Sequence, residues 1–398
     1  MRRKPLTFKV ILYPMNIEDI RTLLHMKDEV ISLNAGSWGP LCQAARVAIL
    51  EGYTAEASSR GDDPEGMRAK GSGLARYSEV VSEAKDILSR FLGCSPEEVA
   101  LCDSTTTGMN IFMWGYDWKP GDEIIAGSLE NPAAKVPLMI LAKRLGVKLT
   151  YISQNGDTLK DLEEAISDKT RMVLLSDVNF ANGSRVDLAE ASKITHEHEA
   201  LLLADGIQAV GTSYVDVKKL GVDGYAMARH KFMCGPDGAG ALYVSKNVLE
   251  QIQPTYSGVF SDAHHGSGEL TYPDSAQRYE VSTRPLPVIQ GGTAATEWIM
   301  DEIGVPFIVE RTTGLYKTLW EGLNDISKVE LVSGKDQSSL LSFRVDGYVS
   351  KEVVDEFRRN FIFTRTVGAL DPPTARLAIG FWNRESDIEK MVEVVKSL

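Results

Sequence analysis

Short, uninterrupted apolar runs alternate in this chain with longer segments of helical periodicity, and no other feature narrows its fold so far. Glu123–Ala126, Val147–Ile152, Met172–Leu175 and Leu201–Ala204 read as strands with continuous rather than alternating hydrophobicity. Such strands have both faces covered, the condition of a parallel sheet held between helices. The helices fall where that fold needs them. Ser78–Leu92 carries Val80, Val81, Ala84, Ile87, Leu88 and Phe91 at helical spacing and stops at Gly93. Pro132–Leu145 closes on Gly146, and Leu159–Ile166 and Leu188–His198 fill the next intervals. The reading is an α/β fold, with a large α/β/α domain on a mostly parallel sheet at residues 30–295.

Downstream the pattern becomes α+β. Val288–Ile303 and Pro306–Leu323 read as helices, Glu330–Val332 and Leu340–Val345 as strands, Lys351–Arg359 as a helix, Arg376–Gly380 as a strand and Ile388–Lys396 as a last helix. Residues 296–398, with 1–29, are expected to form a smaller domain. Between the two, Tyr256–Thr283 is aperiodic and rich in glycine and aromatics, with His264 and His265; it reads as a functional loop.

Charge and cysteine content exclude several classes. Lys and Arg number 43 against 55 Asp and Glu, a net charge of -12, so no basic face for nucleic acid is expected. The best apolar runs, Val136–Ala142 and Ala200–Ala204, fall far short of the roughly 20 residues that span a bilayer. Met1–Lys4 with Leu6–Leu12 is read as a basic arm, since Lys9 interrupts any signal-like run. Cys42, Cys94, Cys102 and Cys234 form no CxxC pair, which points to neither disulfides nor zinc and to a reducing, cytoplasmic setting. His196 and His198 lie two apart on a helix and cannot share a metal, and no metal site is expected.

The chemistry concentrates in Leu201–Val244. A buried strand delivers Asp205 at its carboxyl end, where open α/β sheets bind ligands, and Gln208 follows. A second apolar run ends in Arg229-His230-Lys231, ahead of the turn Gly235-Pro-Asp-Gly-Ala-Gly240. A buried amine beside a buried carboxylate suits pyridoxal 5'-phosphate, whose aldehyde condenses with lysine and whose ring nitrogen needs an acid to keep its proton. Its phosphate wants hydroxyls and a helix N-terminus, and Ser104-Thr105-Thr106-Thr107-Gly108 supplies both.

Taken in order, the hydroxyl loop, Asp205 with Gln208, and His230-Lys231 before GPDGAG resemble the class V branch of the fold-type-I pyridoxal-phosphate enzymes. That branch includes cysteine desulfurases, isopenicillin N epimerase-like proteins and aminotransferases. The resemblance covers about residues 31–398. It implies that Lys231 forms the internal aldimine and moves the Cα proton through a quinonoid intermediate. It implies too that Asp205 holds the pyridine nitrogen, Gln208 meets the ring hydroxyl, and Thr106, Thr107 and His230 bind phosphate. Thr283 is implied to reach the phosphate of a neighbouring subunit in a homodimer, and Arg376 to grip the carboxylate of an α-amino acid substrate.

Three departures bear on the reaction. Asn131 stands where the family carries a ring that stacks on the cofactor, and Phe180 stands where desulfurases carry an asparagine. No cysteine follows Cys234, so the loop before Arg376 lacks the desulfurase thiol. The expected activity is therefore an aminotransferase working with a keto acid, followed by an amino acid epimerase and a cysteine-independent lyase. The different-class alternative is a non-catalytic scaffold that binds the cofactor.

Overall fold

A computed structural model describes residues 15–57, 74–264, 268–337 and 339–398. The basic arm at Met1–Lys4 and His265 of the glycine-rich loop lie outside these residues. Strand β1 (Ile31–Ser32) precedes a main sheet built from β2 (Val99–Cys102), β3 (Glu123–Gly127), β4 (Lys148–Ile152), β5 (Thr170–Ser176), β6 (Leu201–Asp205), β7 (Gly224–Ala228) and β8 (Gly240–Val244). Their spatial order is β2-β8-β7-β6-β5-β3-β4. Only β8 runs against its neighbours; the other pairings in this sheet are parallel. β2, β3, β6, β7 and β8 are buried along their whole length, as their continuous hydrophobicity requires, while edge strand β4 exposes Lys148 and Tyr151.

The helices begin and end on local signals. Asn131 caps Pro132–Leu145 by accepting from the Ala133 N–H, proline occupies the first turn, and Gly146 closes it in the left-handed region. Asp187 caps Leu188–Glu197 through the N–H groups of Ala189 and Glu190. Helix Gln43–Ala57, which the periodicity did not single out, lies against Leu286–Glu297. Glycines permit the contact, since a Cβ on Gly291 would fall 2.6 Å from Ile49 Cγ1 and one on Gly52 2.9 Å from Pro287 Cα. The helix expected over Val288–Ile303 is α-helical only to Glu297; Trp298–Ile303 widens into a π turn that ends at Gly304. The wider turn buries Trp298 and Ile299, with the Trp298 ring 6.0 Å from Phe381.

The C-terminal part holds β9 (Val329–Leu331), β10 (Leu340–Val345), β11 (Ile362–Phe363), β12 (Arg365–Val367) and β13 (Thr374–Ala378). An antiparallel sheet in the order β12-β13-β10-β9 packs beneath helices Val305–Asn324, Ser350–Arg359 and Glu385–Ser397. β1 pairs in parallel with β11, and Asn34 bridges Ala378. Residues 31–34 are thus tied to the C-terminal part. Among the described residues no helix is long and apolar enough to cross a membrane.

Candidate active site

Five strand ends converge on one edge of the main sheet. β2 leads to Thr106 and Thr107, β3 to Glu130 and Asn131, β5 to Asp177 and Phe180, β6 to Asp205, and β7 to His230 and Lys231. All five are carboxyl ends, where an open α/β sheet leaves its crevice. β12 and β13 add Arg365 and Arg376, and the segment after β1 adds Gly36, Ser37 and Gly39.

Lys231 is partly buried, and its ammonium is poorly solvated. Burial draws its pKa down to about 7; Asp205 opposes this, and the like charges of Arg376 and Arg365 reinforce it. A lysine amine that is substantially neutral at pH 7 is a competent nucleophile and base. Asp205 is 3% exposed and its Oδ1 accepts from the Ile207 N–H at 3.0 Å. Burial pushes its carboxyl up, the Ile207 N–H and Lys231 pull it back, and Asp177 adds a smaller upward push. Gln208 donates from Nε2 to the Gly36 carbonyl at 3.0 Å, while its buried Oε1 has no partner among the described residues. A buried acceptor left so is short of one hydrogen-bond donor. Gly39 closes the turn: its N–H donates to the His230 carbonyl at 2.9 Å, and a Cβ there would lie 1.8 Å from the Lys231 carbonyl oxygen.

Thr106 and Thr107 open the helix Thr105–Gly115, whose cap is Ser104. The Thr107 N–H donates to Ser104 Oγ at 3.1 Å, and the two hydroxyls lie 3.0 Å apart. Thr106, Thr107, Ser282, Thr283 and Arg284 line one cavity of about 490 Å³. Thr283 thus shares a cavity with the hydroxyl helix of its own chain. His230 Nδ1 lies 3.9 Å from Asp237 Oδ1, and burial followed by Lys231 holds its imidazole below the usual range. Asn131 spends its side-chain oxygen on the helix cap, at 2.9 Å from the Ala133 N–H. A polar residue before a proline was a legible capping signal that the sequence reading passed over in favour of the missing ring.

Arg376 is 1% exposed; Nη1 donates to the Phe180 carbonyl at 2.8 Å, Nη2 lies 3.5 Å from Ser37 Oγ, and Nε is unpartnered. Burial lowers its pKa to about 9, helped by Arg365. Arg365, which the sequence reading did not select, stands directly opposite Arg376 in the β12–β13 register and reaches Ser37 Oγ at 3.3 Å. Like charges facing each other across a sheet are unfavourable without an anion to share. The intervening turn hid this register from a reading of the sequence. Phe180 clusters with Leu129, Ala181, Val367 and Leu370. His196 pairs with Asp223 at 2.8 Å, away from these residues.

The donor set suits pyridoxal phosphate: a neutral amine, a buried carboxyl, an orphaned amide oxygen and a hydroxyl-bearing helix start, with a guanidinium pair alongside. Residues 64–390 match the family model described as aminotransferase class V. The chain belongs to the class V aminotransferase family. This class V chain is 27% identical to a cysteine desulfurase of Haloferax volcanii over 337 residues, covering 80% of the chain and 79% of the relative. It is 28% identical to a cysteine desulfurase of Shigella flexneri over 336 residues, covering 80% and 82%. Among solved structures, a lysine-to-alanine variant of C-DES with glycine covalently linked to the PLP cofactor matches with a TM-score of 0.87 and 26% identity, covering 94% and 98%. The complex of the cystine C–S lyase C-DES with its reaction product cysteine persulfide matches at 0.85 and 26%, covering 93% and 98%.

Proposed function

We propose that this class V enzyme uses pyridoxal 5'-phosphate to break the carbon–sulfur bond of a sulfur-bearing α-amino acid without a thiol of its own. The observation that carries this reading is the state of its cysteines. Cys42, Cys102 and Cys234 are buried and Cys94 partly so, and burial raises all four thiols. Cys234, nearest Lys231 in sequence, keeps its Sγ 3.6 Å from the Phe232 carbonyl, and no cysteine follows it. A raised, buried thiol cannot take sulfur from a substrate. The kinship with cysteine desulfurases and with a lyase that releases cysteine persulfide favours lyase chemistry over the transamination that the sequence ranked first.

When bound, the cofactor supplies the electron sink that acidifies the substrate Cα–H. Asp205 would hold the ring nitrogen, Gln208 Oε1 the ring hydroxyl, and Thr106, Thr107 and His230 the phosphate, with Asn131 shaping the crevice as a helix cap. Arg376 grips the α-carboxylate and Arg365 stands ready for a second anionic group, such as the far carboxylate of a disulfide amino acid. The Lys231 amine takes the Cα proton; the β-sulfur group departs with its bonding electrons, and the unsaturated product hydrolyses to a keto acid and ammonia. Val47, Leu50 and Tyr53 leave an exposed apolar stripe on helix Gln43–Ala57, and this reading covers it with a second copy in a homodimer.

The test is product analysis with L-cystine, L-cysteine and L-alanine, each with and without keto acids. Pyruvate with persulfide sulfur from cystine, at an unchanged rate when all four cysteines are replaced by alanine or serine, is the expected result. Amino-group transfer to an added keto acid without sulfur release would establish transamination in its place.

A further inference from the structure

A second guanidinium lies buried without a counter-charge, away from the substrate arginines. Arg229 is 1% exposed, its Nε and Nη2 are unpartnered, and no carboxylate among the described residues pairs with it. The protein is shaped around it: a Cβ on Gly292 would fall 2.2 Å from Nη1, and one on Gly235 2.8 Å from Arg229 Cβ. Burial, with the like charge of Arg284 behind it, draws the Arg229 pKa down to about 10 against the opposing influence of Cys102. Burying a lone cation is costly, and chains keep one only where something else rewards it.

Arg284 is the group that Arg229 faces. The two share a narrow crevice with Cys102, Gly240 and Ile289, and Arg284 extends from it into the 490 Å³ cavity lined by Thr106, Thr107 and Thr283. The nearest carboxylate to Arg284 is exposed Asp103, 4.0 Å away and beyond hydrogen-bond reach. Two cations thus line one crevice beside a hydroxyl-lined helix start, and the acid on the cavity side is exposed Asp103. The like charge of Arg229 lies behind Arg284 on the crevice side and favours the reach of Arg284 into the cavity.

We propose that Arg284 is a cationic contact for the cofactor's phosphate in this cavity, and that Arg229 is the positioning residue behind it. The inference rests on the pyridoxal-phosphate reading above. A phosphate oxyanion there pairs with Arg284, offsets the unpaired charge of Arg229 behind it, and adds charge-assisted hydrogen bonds to those of Thr106, Thr107 and the helix N-terminus.

The experiment compares the affinity of the apo-protein for pyridoxal 5'-phosphate with its affinity for pyridoxal, which lacks the phosphate, by visible absorption. Arg284→Met is expected to weaken pyridoxal phosphate roughly tenfold to a hundredfold, the worth of one charge-assisted contact, with pyridoxal changed less than about twofold. Arg284→Lys should recover part of the loss. Arg229→Met should weaken pyridoxal phosphate several-fold while raising the melting temperature of the apo-protein, because the uncompensated charge is gone. Equal losses for both ligands, or none, in Arg284→Met would overturn the assignment. An unchanged ratio in Arg229→Met would overturn its positioning role. Failure of the unmodified chain to take up pyridoxal phosphate would instead refute the cofactor reading itself.

Discussion

Replacing Arg376 by methionine sets two opposed energies against each other. In the ligand-free protein the guanidinium makes one good hydrogen bond, to the Phe180 carbonyl at 2.8 Å, and otherwise carries an unpaired charge at 1% exposure. Losing that bond costs about 1 kcal/mol. Removing a lone buried cation returns on the order of several kcal/mol, and methionine fills much of the space. The variant should therefore be as stable as the parent or up to about 2 kcal/mol more stable. Catalysis should move the other way. A bidentate carboxylate grip is two charge-assisted hydrogen bonds at about 1.5–3 kcal/mol each, so kcat/KM should fall by roughly 10²–10⁴. The sign of the pH dependence follows from the same burial. With a folded-state pKa of about 9 against an ordinary 12.5, Arg376 binds fewer protons folded than unfolded across that interval. Its contribution to stability therefore rises with pH above about 9, and the variant should lack that rise. Urea unfolding at pH 7 and pH 10, with steady-state kinetics on the sulfur amino acid, measures all three. A variant that loses more than about 2 kcal/mol of stability while kcat/KM drops less than tenfold would refute the reasoning and make Arg376 a structural residue.

Lys231→Ala should abolish the visible absorption band of the holoenzyme and let the cofactor wash out on gel filtration; retention with an unaltered spectrum would count against Lys231. Asn131→Ala should cost about 1 kcal/mol, the usual worth of an N-cap, and Asn131→Ser should restore most of it, as read by chemical denaturation. The carboxylate of Asp223 raises the pKa of half-exposed His196, so this pair stabilises below the ordinary histidine pKa and fades as pH rises through the folded value. His196→Gln should remove that low-pH excess, well under about 1 kcal/mol because the pair is partly solvated, and unfolding midpoints at pH 5.5 and pH 8 will show whether it does.

The main sheet was legible because its strands are apolar at every position, and a chain has few other ways to use Met172–Leu175 or Leu201–Ala204. The strand-end acid, amide and lysine were legible for a related reason, since chemistry at a carboxyl edge is local to the turn that carries it. What stayed hidden depended on contacts between distant segments. Arg365 became visible only when the β12–β13 register set it against Arg376. Gly36 and Gly39 look like ordinary turn glycines until Gln208 and the Lys231 turn press on them. Helix Gln43–Ala57 was missed because its buried positions, Ala45 and Gly52, are small and its larger apolar residues face outward. The π turn at Trp298–Ile303 keeps the residue pattern of an α-helix, and tertiary packing decided its shape.

The segment that lies over the Lys231 turn also ties the chain before the main sheet to the strands that follow it. Leu33 receives the Ala378 N–H, Ile31 pairs with Ile362, and Gly39 rests on His230. During synthesis Lys231 emerges long before β13 exists to anchor that segment, so the crevice cannot finish forming on a growing chain. A reactive amine is thereby kept from becoming a competent base until β13 has been made.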